Sequence, residues 1–97
     1  MRRAARTDAN QKEVVANLRK LGFSVQHLHQ LGKGCPDLLI GKEGRNWLFE
    51  LKDPDKPPSA RQLTEDEKKW FHTWRGQVDI GYDAESIVDL IDYMMGK

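Results

Sequence analysis

The chain has 97 residues, 38% hydrophobic and 32% charged, with a net charge of +1; that is apolar material for one modest core and too little chain for two. The single cysteine, Cys35, excludes an internal disulfide and a cysteine-based zinc framework. No apolar run approaches the ~18 residues of a membrane span, and the basic start MRRAAR leads into TDANQK rather than a signal peptide's apolar segment. The totals therefore predict a single domain over residues 1–97, cytoplasmic, with no membrane partner. Charge is uneven along the chain: Arg2, Arg3 and Arg6 crowd one end, whereas acids gather at Glu65 to Glu67 and after Asp79. The basic arm is a candidate polyanion contact, although such arms are also common as solvated tails.

The first predicted element is a helix from Asp8 to Leu21, with Val14, Val15, Leu18 and Leu21 on one stripe, Asp8 as N-cap and Gly22 at its end. Phe23 to Gln30 alternates loosely and reads as a strand followed by the turn LGKG. DLLIG and RNWLFELK are short, rich in strand-favouring residues and separated by a turn, which predicts a hairpin and hence a three-stranded meander. The prolines of DPDKPP then force a loop. Thr64 with Glu67 forms a capping box for a second helix reaching towards Gly76, and Ser59 with Gln62 is an alternative start one turn earlier. Leu63, Glu67, Trp70, Phe71 and Trp74 recur on that helix at helical spacing. Gln77 to Tyr82 reads as a fourth strand, and Asp83 caps a last helix with Ile87, Leu90, Ile91 and Met94 inside. The order is αβββαβα. A helix between the third and fourth strands makes those two parallel, so the expected architecture is a mixed four-stranded sheet flanked by helices.

Side chains alternate faces along a strand, so Glu50 and Lys52 share one face. A hairpin turning over Lys42 to Arg45 pairs Gly41 with Asn46 and carries the register to Asp37 opposite Glu50. Opposed residues on one face have Cβ atoms about 4.5–5.5 Å apart, and two carboxylates so placed repel unless something positive lies between them. A hard divalent cation resolves the conflict, magnesium needing few protein oxygens when water and substrate phosphate complete its shell. Lys52 would lie beside it, able to orient a nucleophile or offset charge developing on phosphorus. A solitary Glu-x-Lys is mostly a surface ion pair worth about 0.2–1 kcal/mol; the weight here rests on Gly34-Cys35-Pro36-Asp37, Glu50-Leu51-Lys52 and the register joining them.

With Pro36-Asp37 and Glu50-Leu51-Lys52 as its two elements, the chain resembles the PD-(D/E)XK nuclease superfamily, whose common core is αβββαβ, the restriction-endonuclease-like fold. More narrowly, DANQKEVVANLRKLGFSV, GCPDLLIG, FELKD, KPPS and LTEDEKKWFHTWRGQV resemble the small virus-type replication-repair nucleases, the VRR-NUC family, across nearly the whole chain. The resemblance implies that Asp37, Glu50 and the Leu51 carbonyl hold magnesium, with manganese as a substitute, that Lys52 is the catalytic lysine, and that Glu13 takes the family's N-terminal acidic position. Lys33 and Lys68, with Arg2, Arg3 and Arg6, are the expected substrate contacts. The family often carries a glutamine on the helix after the lysine strand, where this chain has Glu67 and Lys68. Glu67 either approaches Lys52 or lies at the edge of its apolar stripe, the second being expected.

Other candidates are weaker. His27 and His29 have the spacing of a metal pair but lack a third soft ligand. His72 is an exposed helix position or a substrate contact. Trp70, Phe71 and Trp74 at helical spacing are expected in the core, with base stacking as the alternative. Cys35 has no evident base partner and is not an expected nucleophile. Without GxGxxG or a Walker loop there is no nucleotide-cofactor site. The resemblance thus implies a magnesium-dependent, structure-selective DNA endonuclease, a homodimer similar to Holliday-junction resolvases, acting on branched DNA in DNA repair in a bacterial host cell and of phage or prophage origin. Two competitors stand beside it: a non-catalytic nucleic-acid-binding module, and a restriction-type nuclease that cuts linear duplex at a defined sequence.

Overall fold

The computed structural model describes residues 9–97. Asp8 as a cap and the basic arm of Arg2, Arg3 and Arg6 lie outside the described residues. Helix α1 spans Ala9–Lys20, β1 Ser24–His27, β2 Leu38–Lys42, β3 Arg45–Leu51, α2 Glu65–Thr73, β4 Val78–Gly81 and α3 Ala84–Met94. The order is the αβββαβα expected, and the strands lie in one sheet in the order β1-β2-β3-β4. β1, β2 and β3 pair antiparallel, whereas β3 and β4 pair parallel. Among the described residues no helix is long and apolar enough to cross a membrane.

The hairpin register follows from its turn. Glu43 (φ 54°) and Gly44 (φ 79°) both adopt left-handed conformations, the geometry of a two-residue turn whose twist matches that of the flanking strands. Lys42 then pairs with Arg45, Gly41 with Asn46, Ile40 with Trp47 and Leu38 with Phe49. Alternation puts Leu38, Ile40, Trp47 and Phe49 on one face, where they pack with Val14, Val15 and Leu18 of α1 and Ile87 and Ile91 of α3 to form the core. The opposite face carries Leu39, Leu48, Glu50 and Ile80.

Two expectations change. The strand predicted from Phe23 to Gln30 stops at His27, and His29–Leu31 is a short 3-10 turn. Lys33 (φ 54°) follows in a left-handed conformation between two glycines of positive φ, and the Leu28 N–H donates to the Asp37 carbonyl at 2.7 Å, so the chain turns back to start β2 instead of extending β1. The aromatic stripe of α2 is not core: that helix has no buried residue, and Trp74 is 47% exposed, stacked on Trp70 at 4.5 Å between ring centroids. The reason is that α1 and α3 with Trp47 and Phe49 already fill the core face. Ser59 falls in a 3-10 turn, Pro58–Arg61, so α2 starts at the later of its two candidate caps, Thr64.

Candidate active site

Pro36 is among the fully buried residues and leads directly into β2, so Asp37 stands at the mouth of that strand. The register places Asp37 one step beyond the Leu38–Phe49 pair, opposite Glu50. Asp37 Oδ2 accepts the Leu51 N–H at 2.8 Å, which fixes its carboxylate across the end of β3. Glu50 is 4% exposed, and its Oε1 is buried with no hydrogen-bond partner. Lys52 lies on the same face, its Nζ 3.5 Å from Glu50 Oε2. The Lys52 N–H donates to the Gly81 carbonyl at 3.0 Å, so β4 pins the backbone that carries this ammonium.

The side chain that completes the group is Glu67. Thr64 Oγ1 accepts the Glu67 N–H at 3.2 Å, and Glu67 Oε1 accepts the Thr64 N–H at 2.9 Å, a complete capping box at the start of α2. The same Oε1 accepts from Lys52 Nζ at 3.0 Å. Glu67 is therefore no residue at the edge of an apolar stripe: the cap that starts α2 also orients a carboxylate towards the lysine. The sequence signal was present in the Thr64–Glu67 pairing, but a capping box reports only the local turn and not what the helix end faces.

The site is electrostatically strained. Burial, then the Asp37 charge and Glu67, push the Glu50 carboxyl up from 4.5 to about 9. The Lys52 ammonium pulls the other way, and its single charge does not offset burial together with two neighbouring carboxyls. Burial also raises Asp37, a shift partly relieved by the Leu51 N–H. For Lys52, burial alone would lower the pKa, but the Glu67 hydrogen bond and the Glu50 charge raise it and hold the side chain as ammonium. Glu67 shows the converse: burial would raise it, and its contacts with Glu50, the Thr64 N–H and Lys52 bring it below the usual value.

Two opposed carboxylates, one with a buried unpartnered oxygen, make an oxygen donor set that suits a hard divalent cation. Among the described residues no three His, Cys, Asp or Glu side chains form a metal cluster, so a cation held by this pair would need backbone carbonyl, water and substrate to complete its shell. This gives a pH prediction. Because the folded Glu50 pKa exceeds its unfolded value, its stabilising effect is fully present below about 4.5 and is lost as pH rises through about 9. Bound metal requires the ionised form, so the gain in Tm on adding magnesium should grow across that same window. Thermal melts with magnesium or chelator check this; a gain independent of pH, or one retained in Glu50→Gln, would refute it.

The remaining predicted residues are placed less tightly. Glu13 is exposed on α1, and among the described residues no hydrogen bond or ion pair ties it to the Asp37–Glu50–Lys52 group. Lys33 and Lys68 are exposed, Lys68 in a loose pair with Glu65 at 3.5 Å. They flank the place where Gly34 packs on the backbone of Asp66 and Glu67, so both stand beside the site. His27 and His29 meet edge to face at 5.7 Å, His27 ending β1 and His29 beginning the 3-10 turn, so they do not share a strand face. The Cys35 thiol is raised by burial and then by Glu50 and Asp37, which keeps it protonated and a poor nucleophile.

A solved structure titled "VRR_NUC domain" is similar to this chain with a TM-score of 0.54 and 28% identity, covering 86% of this chain and 90% of that one. This likeness supports membership of the chain in the VRR-NUC family. No family model and no curated protein matches the sequence. The mixed sheet and its helices form the restriction-endonuclease-like fold of VRR-NUC domains, which fits the hairpin carrying Asp37 and Glu50.

Proposed function

We propose that this chain is a magnesium-dependent DNA endonuclease of the PD-(D/E)XK type, with one catalytic domain over residues 1–97. The observation that carries the reading is the opposition of Asp37 and Glu50 on one sheet face, with a buried orphan oxygen on Glu50 and the Lys52 ammonium beside it. A non-catalytic DNA-binding module gains nothing from such a pair, since opposed buried acids destabilise a sheet.

Asp37, Glu50 and the Leu51 carbonyl would hold magnesium, with manganese as a substitute. The ion, when bound, supplies Lewis-acid activation of the phosphodiester and lowers the pKa of water. The chain's own residues do the rest. Lys52, kept as ammonium by Glu67, orients the attacking water and offsets the charge that builds on the phosphate oxygens. The Leu51 N–H and the parallel pairing to β4 hold the acids and the lysine in place. Lys33 and Lys68, with the arm of Arg2, Arg3 and Arg6, contact phosphates, and Glu13 is the family's N-terminal acidic position, reaching the metal directly or through water. Such contacts read the DNA backbone and its shape rather than base sequence. The reading extends to a branched substrate, which shape contacts can distinguish from linear duplex, and to a homodimer, because a four-way junction needs two symmetric cuts. Action in the cytoplasm of a bacterial host, with phage or prophage origin, completes the reading.

The test compares a four-way junction with linear duplex of the same sequence, each with magnesium, manganese or chelator, for the native chain and Asp37→Asn. Cutting should require the metal, favour the junction and fall by about 100-fold or more in Asp37→Asn. Asn retains an oxygen that can accept the Leu51 N–H, so the fold should survive. Metal-independent binding without cleavage of any substrate would leave the non-catalytic module, and cutting of the linear duplex at one sequence would leave the restriction-type nuclease.

A further inference from the structure

The sheet face that carries Glu50 and Lys52 continues along β3 through Leu48 to Asn46 and is not covered by α1 or α3. Beyond the acids it opens into a cavity of about 410 Å³, within the range of about 300–1,000 Å³ of ligand-binding clefts. Leu39, Leu48 and Trp74 supply its apolar lining, Arg45, Asn46 and Gln77 its polar groups, and among the described residues no Asp or Glu lines it. The Gln77 amide donates to the Asn46 carbonyl at 2.7 Å, which ties the two sides together. Trp74 rests on Trp70 and keeps 47% of its surface exposed. A Cβ at Gly76 would come within 2.9 Å of the Trp74 indole nitrogen, so a glycine there lets the ring fold over the chain. Exposed Arg75 follows Trp74 directly.

We propose that this cavity is a nucleobase subsite: an unpaired base of the DNA stacks on Trp74 while Arg45 and Arg75 take the flanking phosphates. The inference rests on the nuclease reading and adds which part of the DNA the protein grips. At about 3.3 Å per strand residue, Leu48 and Asn46 lie roughly 7 and 13 Å along the same face from Glu50, a short step along one nucleic-acid strand. A lining of indole and aliphatic carbon with one cation, Arg45, and no carboxylate suits an aromatic ring flanked by anions, and exposed Arg75 is the next residue after Trp74. Unpaired bases are present at flaps, forks and frayed ends, cost less to expose at the branch point of a junction than within a continuous stack, and are absent from intact duplex. The subsite would therefore give the chain a preference for DNA that offers an unpaired base.

Binding in chelator, where the metal-dependent reading expects no cutting, tests the subsite apart from catalysis. Three labelled probes are compared: duplex with a single-stranded tail, the same duplex with an abasic tail, and fully paired duplex. Trp74→Ala should weaken binding of the base-bearing tail by about 5- to 150-fold, the range for losing one base–aromatic stack, and leave the other two probes unchanged; Trp74→Phe should retain most of the affinity. The base-bearing tail, and not the abasic one, should quench the tryptophan fluorescence of the native chain, a readout independent of any variant's folding. Equal affinity of the native chain for the tailed and abasic probes overturns the proposal. So does an unchanged Trp74→Ala, or a Trp74→Ala that weakens all three probes alike and shifts the oligomeric state on gel filtration, which would make the face an interface between copies. Cleavage of the tailed probe after adding magnesium is scored separately, so a nuclease without the subsite and a base-binding protein without cleavage give different patterns.

Discussion

Lys52→Ala is expected to lower cleavage by about 100- to 1,000-fold while leaving the fold and the metal response intact. The magnitude is that of removing one preorganised charge donor aimed at a developing oxyanion. The fold should persist because Lys52 lies on the sheet face opposite the core and its backbone bond to Gly81 needs no side chain. Removing the ammonium leaves Glu50 and Glu67 facing each other, but with Glu50 raised to about 9 that carboxyl stays protonated near neutral pH, so the repulsion is muted until metal arrives. The ammonium is also the group that now occupies the space beside Glu50, 3.5 Å from Oε2, so magnesium should stabilise Lys52→Ala at least as well as the native chain. Lys52→Arg should not rescue cutting, because a planar guanidinium would pair broadly with Glu50 and Glu67 instead of presenting a compact charge. Measured rates, together with Tm shifts on adding magnesium, separate this from a structural defect. Native-like cleavage in Lys52→Ala would remove the lysine from the mechanism, and loss of the magnesium-dependent Tm shift would mean that the side chain builds the site rather than working in it.

How much of this was legible in the sequence depends on the range of the interactions involved. The hairpin register was legible because strand alternation and the short turn before Arg45 leave one arrangement that buries Ile40 and Trp47 together, and that arrangement places Asp37 opposite Glu50. The caps at Thr64 and Asp83 were legible because each is decided within four residues, and both are complete capping boxes in the structure. What failed was the use of helical spacing to place α2. Periodicity identifies an apolar stripe without saying what covers it, and the competition for the core face was won by α1 and α3, leaving Trp74 in solvent. The Glu67–Lys52 contact was the less expected of two alternatives for a related reason: it spans 15 residues and depends on where the start of α2 docks. Glu13 lies on the expected helix with its side chain exposed, and its role rests on the family position alone.

Gly34→Ala is expected to produce the second large loss, through a position with no chemistry of its own. Gly34 has φ 84°, a left-handed conformation in which an alanine is strained, and a Cβ there would clash with the Asp66 carbonyl oxygen and come within 2.9 Å of the Glu67 nitrogen. Both contacts are with backbone, so no side chain can swing aside and α2 itself must move. The helix is held mostly at this end, having no buried residue, and a shift of its first turn breaks the 3.0 Å bond from Lys52 to Glu67. The core lies on the other face and does not depend on α2, so the change should cost about 1–3 kcal/mol of stability rather than the fold. Freed from Glu67, Lys52 retains only Glu50 as a partner, and the ammonium swings towards the metal position. Activity should therefore fall by about 10- to 100-fold, the scale of a misplacement near 1 Å, with more magnesium needed for half-maximal rate. Glu67→Ala should reproduce the kinetic part with a smaller loss of Tm, since it removes the partner without moving the helix. If Gly34→Ala lowered the Tm alone and left rate and magnesium demand unchanged, the docking of α2 would be a matter of stability and Glu67 would have no part in setting the lysine.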